Sequence, residues 1–134
     1  MPDKKQAYDM YKAGFNCGQI VATFCSDMCG NDEKTARAAL GGFGGGMHCG
    51  ETCSAVAGGL YSLSVYCNHC EYGDLIAQNK ITEMTKEFTS RFKDEFGSLR
   101  CSDLVDTNDL GRCGNYLMKA TELVIELIER DKSK

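Results

Sequence analysis

Nine cysteines stand at positions 17, 25, 29, 49, 53, 67, 70, 101 and 113 of a 134-residue chain. Thiolates ligate soft metals and iron–sulfur clusters and attack disulfides, and an odd count suits a disulfide framework poorly, so these residues point to metal ligation or redox chemistry. Spacing sorts them further. Cys49 and Cys53, then Cys67 and Cys70, form a CxxxC and a CxxC pair separated by thirteen residues, with His48 and His69 beside them, which is close to the spacing of a structural zinc module. A helix joining the two pairs would hold them roughly 20 Å apart, so the zinc alternative needs a break at Gly58-Gly59. Cys25 and Cys29 are four apart on one helix face, where a disulfide is strained, and read as core packing or an extra metal contact. The CNHC of residues 67–70 resembles a thioredoxin-like dithiol, but no βαβ pattern surrounds it. His48, next to Cys49, offers a ligand or a base and reads first as an exposed loop histidine.

The stretch GGFGGGMHCGETCSAVAGG, residues 41–59, holds eight of the 15 glycines. It lacks the lysine of a phosphate-binding loop, is out of register with GxGxxG and follows a predicted helix instead of a strand, which argues against nucleotide binding. Bare backbone has another use. Glycine lets N–H groups approach a sulfur closely, and Gly44, Gly45 and Gly46 are the candidates for a nest around the Cys53 sulfur or around a cluster.

The elements that must position these groups are helical, since no segment alternates with period two. A first helix spans about Lys4–Ala13, and Asn16 is placed to cap a second in which Cys17, Val21, Phe24 and Met28 share a face. Asp32 caps a third through Leu40. A buried helix covers about Cys53–Cys70, its Gly58-Gly59 pair suggesting close packing. Asp74 opens the longest helix, where Ile81, Met84, Phe88, Phe92 and Phe96 form an apolar stripe that stops at Gly97. Residues 98–112 read as irregular, and a last helix runs from about Gly114 to Arg130 with Leu117, Thr121, Val124 and Ile128 inward. The expected fold is all-α: one domain over residues 1–134, a compact bundle of about five to six helices with a glycine-rich loop.

On this map Cys17, Cys53 and Cys113 fall at helix starts, where unpaired N–H groups and the helix dipole favour thiolate, and Cys101 lies in a loop beside Arg100. These residues, in "FNCGQ", "GGFGGGMHCGETCSAVAGG", "CSDLV" and the cysteine at 113, are also where the chain resembles the family of redox-active proteins named for its C_GCAxxG_C_C cysteine pattern. The resemblance runs over nearly the whole chain and implies that the family's four hallmark cysteines are Cys17, Cys53, Cys101 and Cys113. Ser54 stands where the family motif has glycine, while Ala55 and Gly58 match it.

Two redox readings of those four residues follow. In one they ligate an iron–sulfur cluster for electron transfer or redox sensing, Cys₄ being the usual ligand set. In the other they form a thiol and disulfide relay in which Cys53 attacks and Cys17, Cys101 or Cys113 resolves. Either makes the chain a component of an oxidoreductase system with a redox partner protein. A net charge of −4 with both signs interspersed argues against nucleic acid and anionic membrane as partners. The polar first residues lack a signal-peptide h-region and no apolar run reaches membrane-spanning length, so the expected location is cytoplasmic.

Overall fold

The computed structural model describes residues 3–104 and 111–134, with side chains from residue 114 onward in the second segment. Side-chain caps start four of the eight described α-helices, at Asn16, Asp32 and Asp74 as the sequence predicts and at Asp3 besides. Asp3 caps α1 (Lys4–Lys12), Asp32 caps α4 (Glu33–Ala39) and Asp74 caps α6 (Leu75–Phe96). At α2 (Cys17–Phe24) the cap is reciprocal. The Gln19 N–H donates to Asn16 Oδ1 (2.9 Å) and the Asn16 N–H donates to Gln19 Oε1 (2.8 Å), satisfying two backbone donors at once.

The described residues contain eight α-helices, two more than the upper expectation, and no strand beyond one isolated bridge. One addition comes from a break in the predicted second helix. The Ser26 hydroxyl donates to the Thr23 carbonyl (2.8 Å), a local bond that competes with the helical ladder, and the chain kinks at Cys25. Met28 therefore belongs to a separate short helix, α3 (Ser26–Cys29), which stops at left-handed Gly30. The other addition is α7 (Cys101–Leu104), inside the stretch read as irregular. The final helix, α8 (Gly111–Lys132), starts three residues earlier than expected, and Leu117, Thr121, Val124 and Ile128 are buried on it as predicted.

The central element is α5 (Ser54–Cys67), which packs against α2, α6 and α8. Its Gly58 makes the crossing with α2 possible: a Cβ there would lie 2.4 Å from the Gly18 carbonyl oxygen and 2.7 Å from Gly18 Cα, so the two backbones meet directly. Around this crossing Ile20, Val21, Val56, Leu63, Phe88 and Leu127 are fully or almost fully buried, each supplying on the order of 1.5–3 kcal/mol of apolar burial. At the far end of α5, Asp131 of α8 accepts from the Tyr66 hydroxyl (2.6 Å) and pairs with Lys80 of α6 (3.2 Å), tying three helices together. Among the described residues no helix is long and apolar enough to cross a membrane.

Candidate functional site

The α2/α5 crossing sets two cysteines side by side, because each lies at the start of its helix. Cys17 is the first residue of α2 and Cys53 is the N-cap residue of α5. The contact is again backbone to backbone, since a Cβ on Gly18 would fall 2.5 Å from the Ser54 carbonyl oxygen. A third cysteine arrives through the isolated bridge, in which Thr52 pairs antiparallel with Arg100. The Cys53 N–H donates to the Leu99 carbonyl (2.7 Å) and the Cys101 N–H donates to the Glu51 carbonyl (2.6 Å). Residues flanking a bridged pair point to the face opposite to it, so Cys53 and Cys101 share a face. Cys101 is the first residue of α7, a helix start that periodicity did not reveal because four residues carry too little of it.

Cys17, Cys53 and Cys101 line one cavity of about 500 Å³, together with Gly44, Gly45 and His48. Cys17 and Cys53 are buried and Cys101 is half-buried. Tyr116 of α8 closes another part of the wall and is anchored where its hydroxyl donates to the Leu104 carbonyl (2.6 Å). Cys113, the fourth expected member, is the third residue of α8, and its side chain lies outside the described residues.

The glycine-rich stretch is ordered as two turns: a 3₁₀ turn at Gly41–Phe43, then a wide one over Gly46–Gly50. Four successive residues are left-handed: Gly45 (φ 58°), Gly46 (φ 63°), Met47 (φ 59°) and His48 (φ 57°). This left-handed run leads into the wide turn, which passes through Cys49 (φ −139°) and closes where the Glu51 N–H donates to the Gly46 carbonyl (2.9 Å). Met47 and His48 carry a Cβ, so each costs roughly 1–2 kcal/mol there. Gly46 is wedged behind the site. A Cβ on it would lie 2.5 Å from the Glu51 carbonyl oxygen and 2.6 Å from Cys101 Cβ. Of the three glycines expected around the sulfurs, Gly44 and Gly45 thus line the cavity and Gly46 backs Cys101. His48 is exposed, as read from the sequence, yet it also lines the cysteine cavity, which only the left-handed turn could reveal. Met47 goes the other way, into a separate groove of about 360 Å³ with Phe43, Leu60 and Tyr61.

The remaining described cysteines lie elsewhere. Cys25 and Cys29 are buried in the core, as expected for packing residues, and burial pushes their thiols up to about 12 and about 11. Burial also raises Cys67, whose thiol contacts the Met84 sulfur at 3.5 Å. Such thiols stay protonated at neutral pH and are poor nucleophiles. Cys49 and Cys70 are exposed. The zinc alternative through Cys49/Cys53 and Cys67/Cys70 is not supported by this geometry. Helix α5 runs unbroken through Gly58-Gly59, leaving Cys53 and Cys67 at opposite ends, about 20 Å apart at 1.5 Å per residue. His69 is exposed beside Cys70 at the far end.

Among the described residues no three His, Cys, Asp or Glu side chains are set to hold a single metal ion. Thiols enter one cavity from three separate elements, glycine backbone forms a wall, and the start of the 14-residue α5 brings partial positive charge toward Cys53. That donor chemistry fits an iron–sulfur cluster, whose usual ligands are cysteine thiolates. The family model described as "Putative redox-active protein (C_GCAxxG_C_C)" matches residues 15–127. No curated protein and no solved structure matches the chain.

Proposed function

Because this chain belongs to the C_GCAxxG_C_C family of redox-active proteins, we propose that Cys17, Cys53, Cys101 and Cys113 hold an iron–sulfur cluster that exchanges single electrons with a partner protein. The observation that carries this reading is the convergence of Cys17, Cys53 and Cys101 on one cavity of about 500 Å³. Cys113 joins them through the family pattern.

When bound, the cluster supplies a one-electron couple whose potential follows solvent exposure, net charge and hydrogen bonds to its sulfurs. The chain's own residues set those variables. The α2/α5 crossing fixes Cys17 and Cys53, and the Thr52–Arg100 bridge fixes Cys101 through the backbone amides of Cys53 and Cys101. The start of α5 favours the anionic form of a ligand at Cys53. Burial of Cys17 and Cys53 keeps water from that side, whereas half-buried Cys101 lies on the accessible side where a partner can approach.

The test is metal and sulfide content, with visible absorption, of protein purified without oxygen. The expected result is a brown protein with iron and acid-labile sulfide, lost in Cys53→Ser and kept in Cys25→Ser. A colourless, metal-free protein that loses thiols in pairs on mild oxidation would overturn the cluster and establish the thiol relay. Zinc in place of iron would overturn both.

A further inference from the structure

The left-handed turn sets two adjacent side chains against different cavities. Met47 lines the groove beside Phe43 and Tyr61, and His48, itself exposed, lines the cavity of Cys17, Cys53 and Cys101. Both residues sit at positive φ, where a side chain is strained, although an ordinary turn could have placed glycine there. Strain at two successive non-glycine residues persists only when the surroundings impose it, and such residues cluster at functional sites. The surroundings here are explicit. Gly46 is locked between Glu51 and Cys101, and Glu51 in turn receives the Cys101 N–H, so the turn and the third cysteine are one unit. His48 brings an imidazole to a wall that also holds Asn16, Ser54 and three cysteines, and it is the titratable nitrogen group of that wall. An imidazole N–H can donate to a sulfur that carries negative charge, and such bonds stabilise the reduced, more anionic state of a sulfur-ligated group.

We infer that His48 is a positioning residue of the cysteine site, held in the cavity wall by the left-handed turn so that its imidazole N–H donates to a sulfur there and raises the site's reduction potential. The inference rests on the redox reading of the site and adds to it a residue outside the four-cysteine pattern. It also accounts for a histidine in a conformation that its own backbone disfavours.

Three variants test it. His48→Gly removes the imidazole and relieves the strain, His48→Asn keeps an N–H donor in a residue that tolerates the left-handed region, and Met47→Gly relieves strain on the groove side alone. In protein purified without oxygen and containing iron and sulfide, the midpoint potential of His48→Gly falls by about 59 mV for a one-electron couple, a tenfold loss in the relative stability of the reduced form. His48→Asn recovers most of the shift and Met47→Gly shows none. The melting temperature of His48→Gly does not fall, which a merely structural histidine would not permit. An unchanged potential in His48→Gly, or an equal shift in Met47→Gly, overturns the inference. If the wild-type protein carries no iron, the cluster reading falls and iodoacetamide decides the histidine separately. Alkylation of Cys53 or Cys101, mapped by mass spectrometry, then slows about tenfold in His48→Gly and not in Met47→Gly as the thiolate fraction drops. Equal rates in the two variants overturn it.

Discussion

Replacing Gly46 by alanine tests whether the glycine turn is built around Cys101 or merely passes it. Two effects add. The first is conformational: at φ 63° an L side chain costs about 1–2 kcal/mol, partly offset by the roughly 0.4–1 kcal/mol that alanine gains by restricting the unfolded chain. The second is steric. The new methyl would meet the Glu51 carbonyl oxygen at 2.5 Å, Cys101 Cβ at 2.6 Å and the Glu51 nitrogen at 2.7 Å. Two of these atoms are backbone, and the Cys101 N–H already holds the Glu51 carbonyl, so relief requires moving the bridge. Overpacking of that kind costs about 1–3 kcal/mol. Gly45→Ala is the internal control, since its φ is 58° and a Cβ there would meet nothing within 4 Å. Gly45→Ala should therefore lose about 1 kcal/mol and Gly46→Ala about 2–4 kcal/mol, the difference measuring the steric contact alone. Urea unfolding followed by far-ultraviolet circular dichroism reads both, with an unchanged slope showing that the unfolded state is the same. In Gly46→Ala the alkylation rate of Cys101 should change as well. Equal losses in the two variants would refute the claim that Gly46 and Cys101 are packed against each other.

Cys25→Ala should cost about 1 kcal/mol, the scale for deleting one small buried group, while leaving the alkylation rates of Cys17, Cys53 and Cys101 unaltered; mass mapping after brief iodoacetamide treatment checks this. Asp131, mostly buried, is held below the usual carboxylate range chiefly by the Tyr66 hydroxyl and also by Lys80. A lowered carboxylate contributes stability that is fully present above its unfolded pKa, about 3.9, and is lost as pH falls through the folded value. Asp131→Asn should thus be less stable than wild type by about 1–2 kcal/mol at pH 7 and close to it at pH 2, as urea unfolding at the two pH values would show.

The features legible in the sequence are those written within one helical turn. Asn16 with Gln19, and Asp32 and Asp74 before their helices, signal caps through residues three apart, and the stripe from Met84 to Phe92 fixes the buried face of α6. The Gly58-Gly59 pair announced close packing because glycine in a helix interior is otherwise a loss, and Gly58 does take the α2 backbone while Gly59 takes the Phe88 ring. What escaped the sequence depends on partners far along the chain. The Thr52–Arg100 bridge joins two single residues with no alternating pattern to betray a strand, and it decides where Cys101 goes. The left-handed run is hidden differently: two glycines permit it, but Met47 and His48 argue against it, and only tertiary contacts at Gly46 impose it. The break at Cys25 turned on a single hydroxyl, that of Ser26.

The bonds that hold Cys53 and Cys101 to the bridge are made by their amide nitrogens. Every amino acid except proline brings the same N–H to these positions, so these two backbone bonds do not depend on the sulfur. Serine or alanine at either position removes the sulfur without removing the bridge, whereas proline removes the bridge at once. The bridge is therefore a hinge-pin of backbone alone, and a change of sulfur at either end leaves its two hydrogen bonds available.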